Sequence, residues 1–141
     1  MDARESLHVS QVPDDAIVWR RVPPWHIEPN GVRPKKADGT FRPSSAAFED
    51  DGDGDPMSVD IVDDSLTIQR ELAGHEGYGV VSISVGELRK LDLDVRRKIE
   101  PNNPNHGQVI GHKTRSIRNK IAEKCVWVFD PLIDRSLNAT T

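Results

Sequence analysis

Hydrophobic and polar positions alternate most regularly in residues 79–85. The apolar residues Val81, Ile83 and Val85 are separated by single serines. A period of two places the apolar side chains on one face of a β-strand and the serines on the other. This segment is therefore predicted to be a strand near the centre of a sheet.

Shorter apolar segments bounded by proline, glycine or asparagine predict further strands. They lie at residues 16–20, 57–61, 93–99, 108–110 and 125–129. Apolar residues at helical spacing predict short helices over residues 65–73, capped by Asp63 or Asp64, from Gly86 onward, and from Thr114 to Lys124. Strands and helices do not alternate regularly, and no glycine-rich phosphate loop is present. The pattern predicts an α+β fold with a mixed, mostly antiparallel sheet and two or three short helices.

A long irregular segment interrupts this pattern between residues 23 and 43. It contains five prolines and the turn dipeptides Asn30-Gly31 and Asp38-Gly39. Ordered loops of this length in a small domain are often functional. With 141 residues the chain is long enough for one ordinary domain. We interpret it as a polar N-terminal arm, one α+β domain and a polar C-terminal tail, at residues 1–15, 16–131 and 132–141.

Composition indicates the cellular compartment of the protein. Its single cysteine, Cys125, excludes an internal disulfide and fits a reducing compartment. No apolar run approaches the roughly 18 residues that a membrane span needs, and the first residues lack the pattern of a secretory signal. These features predict a cytoplasmic protein with no membrane partner.

Charge is concentrated in two segments of the chain. Residues 49–64 contain eight acids and no lysine or arginine, whereas residues 113–120 contain four bases and no acid. The net charge of −4 argues against nucleic acid as a general partner, because nucleic-acid-binding domains usually carry a basic footprint. A local basic patch can still hold one phosphate group.

The basic segment coincides with the predicted start of a helix. If Thr114 is the N-cap, three cations cluster where the helix dipole is already positive, and a bound anion would offset that cost. We therefore assign a candidate anion site to His112, Lys113, Thr114, Arg115 and Arg118. The first functional hypothesis is a non-enzymatic module without a cofactor, which binds a phosphate or carboxylate of a small ligand or partner protein there. The rival explanation is that residues 49–64 fold over this end, with Arg115 and Arg118 meeting their charges.

No metal site is predicted. Asp51-Gly-Asp53-Gly-Asp55 resembles the beginning of a calcium loop, but the sixth and twelfth positions of such a loop are occupied by Pro56 and Val62. The histidines and the single cysteine show no spacing typical of zinc ligands. We interpret the acidic segment as a solvated loop.

Several phrases of the sequence carry a resemblance. FRPSSAAFEDD with MSVD, GHEGYGVV and PNHGQVIGHKTRSIR resemble segments of small bacterial proteins of unknown function, over residues 16–130. This implies a free-standing bacterial cytosolic domain. A looser similarity is to ADP-ribosyltransferases, which place an Arg on an early strand, a Ser-Thr-Ser-like segment on a middle strand and a Glu on a late strand. Arg20 and Ser44-Ser45 match the first two features, whereas no late strand offers a Glu.

This similarity implies a second hypothesis, a nucleotide-directed enzyme with NAD as substrate. Arg20 would hold the phosphates, Ser44 or Ser45 would orient a ribose, and His106 or His112 would handle a proton. These side chains must then converge on one cavity on the order of 300 Å³ or larger. At this point the sequence leaves open whether the protein is an enzyme or a binding module.

Overall fold

A six-stranded sheet forms the framework of residues 12–134, the part of the chain that the computed structural model describes. Its strands are β1 Ile17–Val22, β2 Met57–Ile61, β3 Gly79–Ser84, β4 Asp94–Arg97, β5 His106–Ile110 and β6 Val126–Phe129. The spatial order is β4-β5-β2-β1-β3-β6, and every neighbouring pair is antiparallel. The predicted α+β class is confirmed, and the sheet is antiparallel throughout rather than mixed.

The regularly alternating strand β3 is an interior strand, but it is not the central one. It pairs with β1 over six residues, from Ile17 with Ser84 to Val22 with Gly79, and with the edge strand β6 on its other side. The middle of the sheet is formed by β1 and β2. Alternation therefore predicted an interior position correctly, but not the exact place in the order.

Short helices and turns connect the strands. The α-helices are α1 Pro24–Ile27, α2 Ile68–Leu72, α3 Val85–Arg89 and α4 Arg115–Lys124, with 3₁₀ turns at Pro29–Gly31 and Ser45–Phe48. Thr114 caps α4 as predicted, since its hydroxyl accepts a hydrogen bond from the Ile117 amide. None of the helices within residues 12–134 combines the length and apolar character needed to span a bilayer.

The predicted helix over residues 65–73 is shorter than expected and has a different cap. The Asp63 carboxylate accepts hydrogen bonds from both the amide and the hydroxyl of Ser65, which makes a local turn instead of a helix start. Thr67 is the N-cap, and its hydroxyl accepts from the Arg70 amide. The helix therefore begins at Ile68.

One face of the sheet carries the hydrophobic core. The strand residues Val18 and Val81 are buried there against Phe48 of the 3₁₀ turn, Leu88 of α3 and Ile121 of α4. These residues come from strands, a 3₁₀ turn and two helices, so the core packs these helices against the sheet. Burial of this apolar surface is the main stabilising contribution to the fold.

The opposite face is polar over the three adjacent strands β5, β2 and β1. The register places Trp19 opposite Asp60, Asp60 opposite His106, and Ser58 opposite Gln108. Residues directly opposite each other share a face of the sheet. A row of polar side chains therefore crosses β1, β2 and β5, and the candidate site lies on this row.

The long loop of residues 23–43 is fastened to β6 and the residues after it. The Arg33 guanidinium lies 2.8 Å from Asp130 and 4.2 Å from the centroid of the Phe41 ring. The Trp127 indole donates a hydrogen bond of 3.1 Å to the Phe41 carbonyl. These contacts make the loop an ordered part of the domain.

The boundary of the predicted N-terminal arm lies further toward the start than residue 15. Val12 is fully buried, and the Asp14 carbonyl accepts a hydrogen bond from the Gly86 amide at 2.8 Å. Residues 12–15 thus pack on the domain. The rest of the predicted arm, residues 1–11, and residues 135–141 of the predicted tail lie outside the described part of the chain.

Candidate active site

A cavity of about 300 Å³ opens on the polar face beside the end of the β1–β2 pairing. That pairing joins Val18 to Ile61 and Trp19 to Asp60. The cavity is bordered by residues of both strands, by His106 at the start of β5, and by Glu71, His75 and Tyr78 from α2 and the following turn. It therefore collects side chains from four distant parts of the sequence.

Arg20 borders this cavity, but the fold occupies its guanidinium. Nε donates to the Ala47 carbonyl at 3.0 Å, and Nη1 donates to the Ser58 carbonyl at 2.7 Å and lies 3.4 Å from Oδ1 of Asp51. These bonds satisfy backbone carbonyls next to the end of the strand pairing. Burial lowers the pKa of Arg20 below its ordinary value. Arg20 thus ties the strands to the 3₁₀ turn, and the donors named here are not free for a ligand.

Arg21 is the arginine that faces the carboxylates of the cavity. Its Nη1 lies 3.5 Å from Oδ2 of Asp60 and 3.5 Å from Oε2 of Glu71. Both carboxyl groups are almost completely buried, whereas 34% of the Arg21 side chain is exposed. The guanidinium therefore compensates buried negative charge and still presents part of its surface to the cavity.

Glu71 is held as a carboxylic acid at neutral pH. The pKa of Glu71 is raised to about 8, chiefly by burial and also by the hydrogen bond to Asp60 and the charge of Asp60, while the charges of Arg21 and Arg70 act in the opposite direction. Asn103 donates a hydrogen bond of 2.7 Å to the other oxygen of Asp60. Glu71 thus carries a proton beside Asp60 at the cavity wall.

His106 takes part in a chain of hydrogen bonds with Ser58 and Asp51. Its Nδ1 lies 2.9 Å from the Lys98 carbonyl, which can only accept, so Nδ1 carries a proton. Its Nε2 lies 3.3 Å from the Ser58 hydroxyl, and that hydroxyl donates to Asp51 at 2.6 Å. The Lys98 carbonyl therefore orients the imidazole so that Nε2 faces the cavity.

The charge of His106 decides how this chain is satisfied. When the imidazole is neutral, Nε2 is an acceptor. The Ser58 hydroxyl has one proton and can then donate to either Nε2 or Asp51, but not to both. When Nε2 gains a proton, it donates to Ser58 while Ser58 donates to Asp51. With a proton on Nε2, each polar group of the chain therefore has a hydrogen-bond partner within the chain, so the geometry is compatible with proton uptake at Nε2.

A second cavity of about 270 Å³ shares Arg21, Asp51, Ser58 and His106 with the first. Its own lining adds Lys98 and further polar side chains from the loop before β5. The two cavities therefore adjoin, and both are lined by the hydrogen-bonded chain of His106, Ser58 and Asp51.

The other residues predicted for the enzyme hypothesis lie elsewhere. The Ser44 hydroxyl accepts from the Ala46 amide at 3.2 Å and caps the 3₁₀ turn that Ser45 begins. His112 is exposed, two residues beyond the end of β5 and therefore far along the strand from His106. Of the five residues proposed from the similarity, the structure brings Arg20 and His106 to one cavity and leaves Ser44, Ser45 and His112 outside its lining.

At the start of α4, the acidic segment meets the basic one. The Lys113 ammonium lies 2.6 Å from Oδ1 of Asp50 and donates to the Gly111 carbonyl at 3.0 Å. Arg118 donates to the Lys113 carbonyl at 2.7 Å. Within the described residues the ion pair is therefore made by Lys113, whereas Arg115 and Arg118 were the expected partners.

Sequence reasoning missed most of the residues that define the cavity. Alternation on β2 and β5 held a signal for Ser58, Asp60 and His106, because each is a polar residue between residues of the buried face. The same alternation places Arg21, and not Arg20, on the polar face with Trp19. No local signal identified Glu71, because its place depends on how α2 packs on the sheet.

No three or more histidine, cysteine or acidic side chains within residues 12–134 are grouped so that they could hold a metal ion. Comparisons with protein-family models, with curated proteins and with solved structures find no match to this chain.

Proposed function

We propose that the protein is a nucleotide-directed enzyme with its active site in the cavity between β1, β2 and β5. The observation that carries the proposal is the chain from His106 through Ser58 to Asp51, which lies in one cavity with the guanidinium of Arg21. A base, an orienting carbonyl and a cation around one space support proton transfer to and from a bound substrate.

Each group has a distinct role in this proposal. Nε2 of His106, alone or through the Ser58 hydroxyl, accepts the proton of an attacking hydroxyl or water. Glu71, protonated at neutral pH, supplies a proton or a hydrogen bond to the opposite side of the substrate. Arg21 binds an anionic group of the substrate, because its guanidinium can pair with phosphate oxygens.

NAD is the first substrate to test. Arg20 and His106 border one cavity of about 300 Å³, which supports part of the convergence that the enzyme hypothesis requires, whereas Ser44 and Ser45 lie outside this cavity. The phosphate-binding role passes from Arg20 to Arg21, since the fold uses the Arg20 donors. In this reaction water attacks the ribose carbon as the bond to nicotinamide breaks. The proton of water goes to His106, and nicotinamide leaves as a neutral base.

The experiment compares His106, at the start of β5, with His112, which lies two residues beyond the end of that strand. Purified protein is incubated with NAD and with a panel of nucleoside mono-, di- and triphosphates, and nicotinamide release and nucleotide loss are followed by liquid chromatography. We expect His106→Ala to lower the turnover rate by about 10²- to 10⁴-fold, which is the usual contribution of a general base. His112→Ala is the matched control and is expected to leave the rate unchanged, because His112 is exposed and outside the cavity.

The enzyme proposal fails if the protein consumes none of these nucleotides. It also fails if His106→Ala and His112→Ala retain equal rates in folded protein. Ser58→Ala adds an independent check, because it interrupts the chain to Asp51 while leaving the imidazole in place. We expect its rate to lie between those of the wild type and His106→Ala.

A binding module with an anion site at the start of α4 is the second candidate. The observation that favours it is the Arg118 Nε, which is buried without a hydrogen-bond partner among the described residues. A ligand or partner carboxylate would have to displace Asp50 from Lys113. This binding-module proposal is tested by calorimetry with inorganic phosphate and with acidic peptides. The wild type is compared with the triple variant Lys113→Ala, Arg115→Ala, Arg118→Ala. Equal binding by the two proteins would refute the proposal.

A further inference from the structure

Trp25 is a large exposed aromatic residue at the rim of the candidate active site. Its side chain is 63% exposed. Pro23, two residues before it, lines the cavity, and so does Tyr78, the centroid of which lies 6.2 Å from that of Trp25. His75 also lines the cavity, with its ring 5.0 Å from Tyr78. A row of three aromatic rings thus leads from the cavity wall to the surface.

The backbone that carries Trp25 is fixed on both sides. Helix α1 begins at Pro24, and the His26 amide donates to the Pro23 carbonyl at 2.9 Å. Ile27 anchors the end of this helix in the core. Gly77, at a φ of +79°, lets the next turn approach closely, because a Cβ there would lie 3.2 Å from Cγ of Pro24.

An exposed tryptophan on such a fixed support can bind without a large loss of conformational entropy. Its indole offers an apolar face on which planar heteroaromatic rings can stack, whatever their substituents. The adjoining cavity offers Arg21 for an anionic group. A ligand that satisfies both features has a planar ring at one end and a phosphate at the other.

We infer that Trp25, with Tyr78 beside it, forms the subsite for the heteroaromatic ring of a nucleotide whose sugar and phosphate occupy the cavity. This inference rests on the proposed function and specifies which part of the substrate lies at the rim. The ring stacks on Trp25, Arg21 binds the phosphate, and the sugar hydroxyls lie toward Ser58 and His106. Recognition of the ring by stacking tolerates different bases, because every base has a π-face.

The test separates the ring from the rest of the nucleotide. Dissociation constants are measured by calorimetry for adenosine 5′-monophosphate, nicotinamide mononucleotide and ribose 5-phosphate. We expect both nucleotides to bind the wild type more tightly than ribose 5-phosphate does. Trp25→Ala should weaken nucleotide binding by roughly 5- to 140-fold, which is the range of base stacking energies converted to affinity, and should leave ribose 5-phosphate unchanged. Trp25→Phe should retain most of the affinity.

Val32→Ala is the matched control, since Val32 is exposed to a similar degree, 67%, on the loop that follows α1. It should change none of the three dissociation constants. The inference is overturned if Trp25→Ala binds the nucleotides as tightly as the wild type does, or if the wild type binds ribose 5-phosphate as well as it binds the nucleotides.

The two proposals fail in different ways. If Trp25→Ala binds nucleotides normally while His106→Ala is inactive, the ring subsite is wrong and the enzyme proposal stands. If Trp25→Ala loses nucleotide binding but the wild type consumes no nucleotide, the ring subsite stands and the proposed catalysis is wrong. Binding experiments on the folded proteins therefore test the ring subsite, and turnover measurements test the proposed catalysis.

Discussion

The ammonium group of Lys113 lies 2.6 Å from Oδ1 of Asp50 and joins the acidic loop to the start of α4. The two partners differ in burial, because the Lys113 side chain is 3% exposed and that of Asp50 is 50% exposed. Loss of Asp50 leaves a buried cation without its counter-charge, whereas loss of Lys113 leaves an anion that water can solvate. The pair therefore matters chiefly for compensating Lys113.

Replacing Asp50 should accordingly cost more stability than replacing Lys113. We expect Asp50→Asn to lower the free energy of unfolding by about 1–3 kcal/mol, and Lys113→Met, an apolar replacement of similar length, to lower it less. The double variant should resemble Lys113→Met, since no buried charge remains. Urea unfolding measures all three proteins. A loss below about 0.5 kcal/mol for Asp50→Asn would show that the contact contributes nothing measurable.

The stability of the protein should fall as pH rises through the neutral range. The pKa of Glu71 is about 8 in the folded chain against an ordinary 4.5, so between these values the folded state holds a proton that the unfolded state has released. The stabilisation by this proton is complete below about pH 4.5 and is lost toward pH 8, by at most about 1.4 kcal/mol per pH unit. Glu71→Gln mimics the protonated form and should be the more stable protein at pH 9. Parallel pH profiles of the two proteins would contradict this.

Arg20 should prove to be a structural residue. Its guanidinium donates to the carbonyls of Ala47 and Ser58 and contacts Asp51, and a lysine ammonium cannot reproduce this fork of donors. We expect Arg20→Lys to lower the free energy of unfolding by roughly 1–3 kcal/mol, the cost of leaving buried acceptors unpaired. Nucleotide binding by the remaining folded protein should stay close to that of the wild type. Unchanged stability with lost binding would assign Arg20 to the ligand instead.

The sequence predicted best those features that depend on neighbouring residues. Alternation identified β3, and the hydroxyl of Thr114 followed by a helical apolar pattern identified the start of α4, because both signals arise within one turn or one strand. Asp63 shows the limit of this reasoning. It is a good cap by residue type, but a serine two positions later binds its carboxylate and delays the helix until Thr67.

The candidate site could be predicted only in part because its geometry depends on strand register. Arg20 and Arg21 are equivalent in composition, and only the pairing of Trp19 with Asp60 decides which one faces the carboxylates. His106 was one of two candidate histidines, with His112, and only the pairing of β2 with β5 places it opposite Asp60 and beside Ser58. Glu71 was not a candidate, because nothing in its local sequence shows that α2 places it against Asp60 and Arg21.

The ion pair between Arg33 and Asp130 should be among the most important polar contacts for stability. Both side chains are more than nine-tenths buried, and Arg33 also lies over the Phe41 ring. We expect Arg33→Ala to lower the free energy of unfolding by about 3–5 kcal/mol, because it leaves Asp130 buried without its cation. Arg115→Ala, at an exposed position, is the control and should stay within about 0.5 kcal/mol of the wild type. Equal effects of the two variants in urea unfolding would refute this role.

Cys125 should be inert toward thiol reagents while the protein is folded. Burial raises the pKa of the Cys125 thiol to about 12, so only about one molecule in 10⁴ carries the reactive thiolate at pH 8. The side chain is also 1% exposed, so a thiol reagent cannot reach it in the folded protein.

Labelling of Cys125 by an aromatic disulfide reagent should therefore require opening of the domain. Since the chain contains one cysteine, every labelled molecule reports this site. Arg33→Ala, which destabilises the native state, should accelerate labelling by about 10²-fold or more at equal pH. Labelling of the wild type as fast as that of the urea-unfolded chain would show that the thiol is accessible.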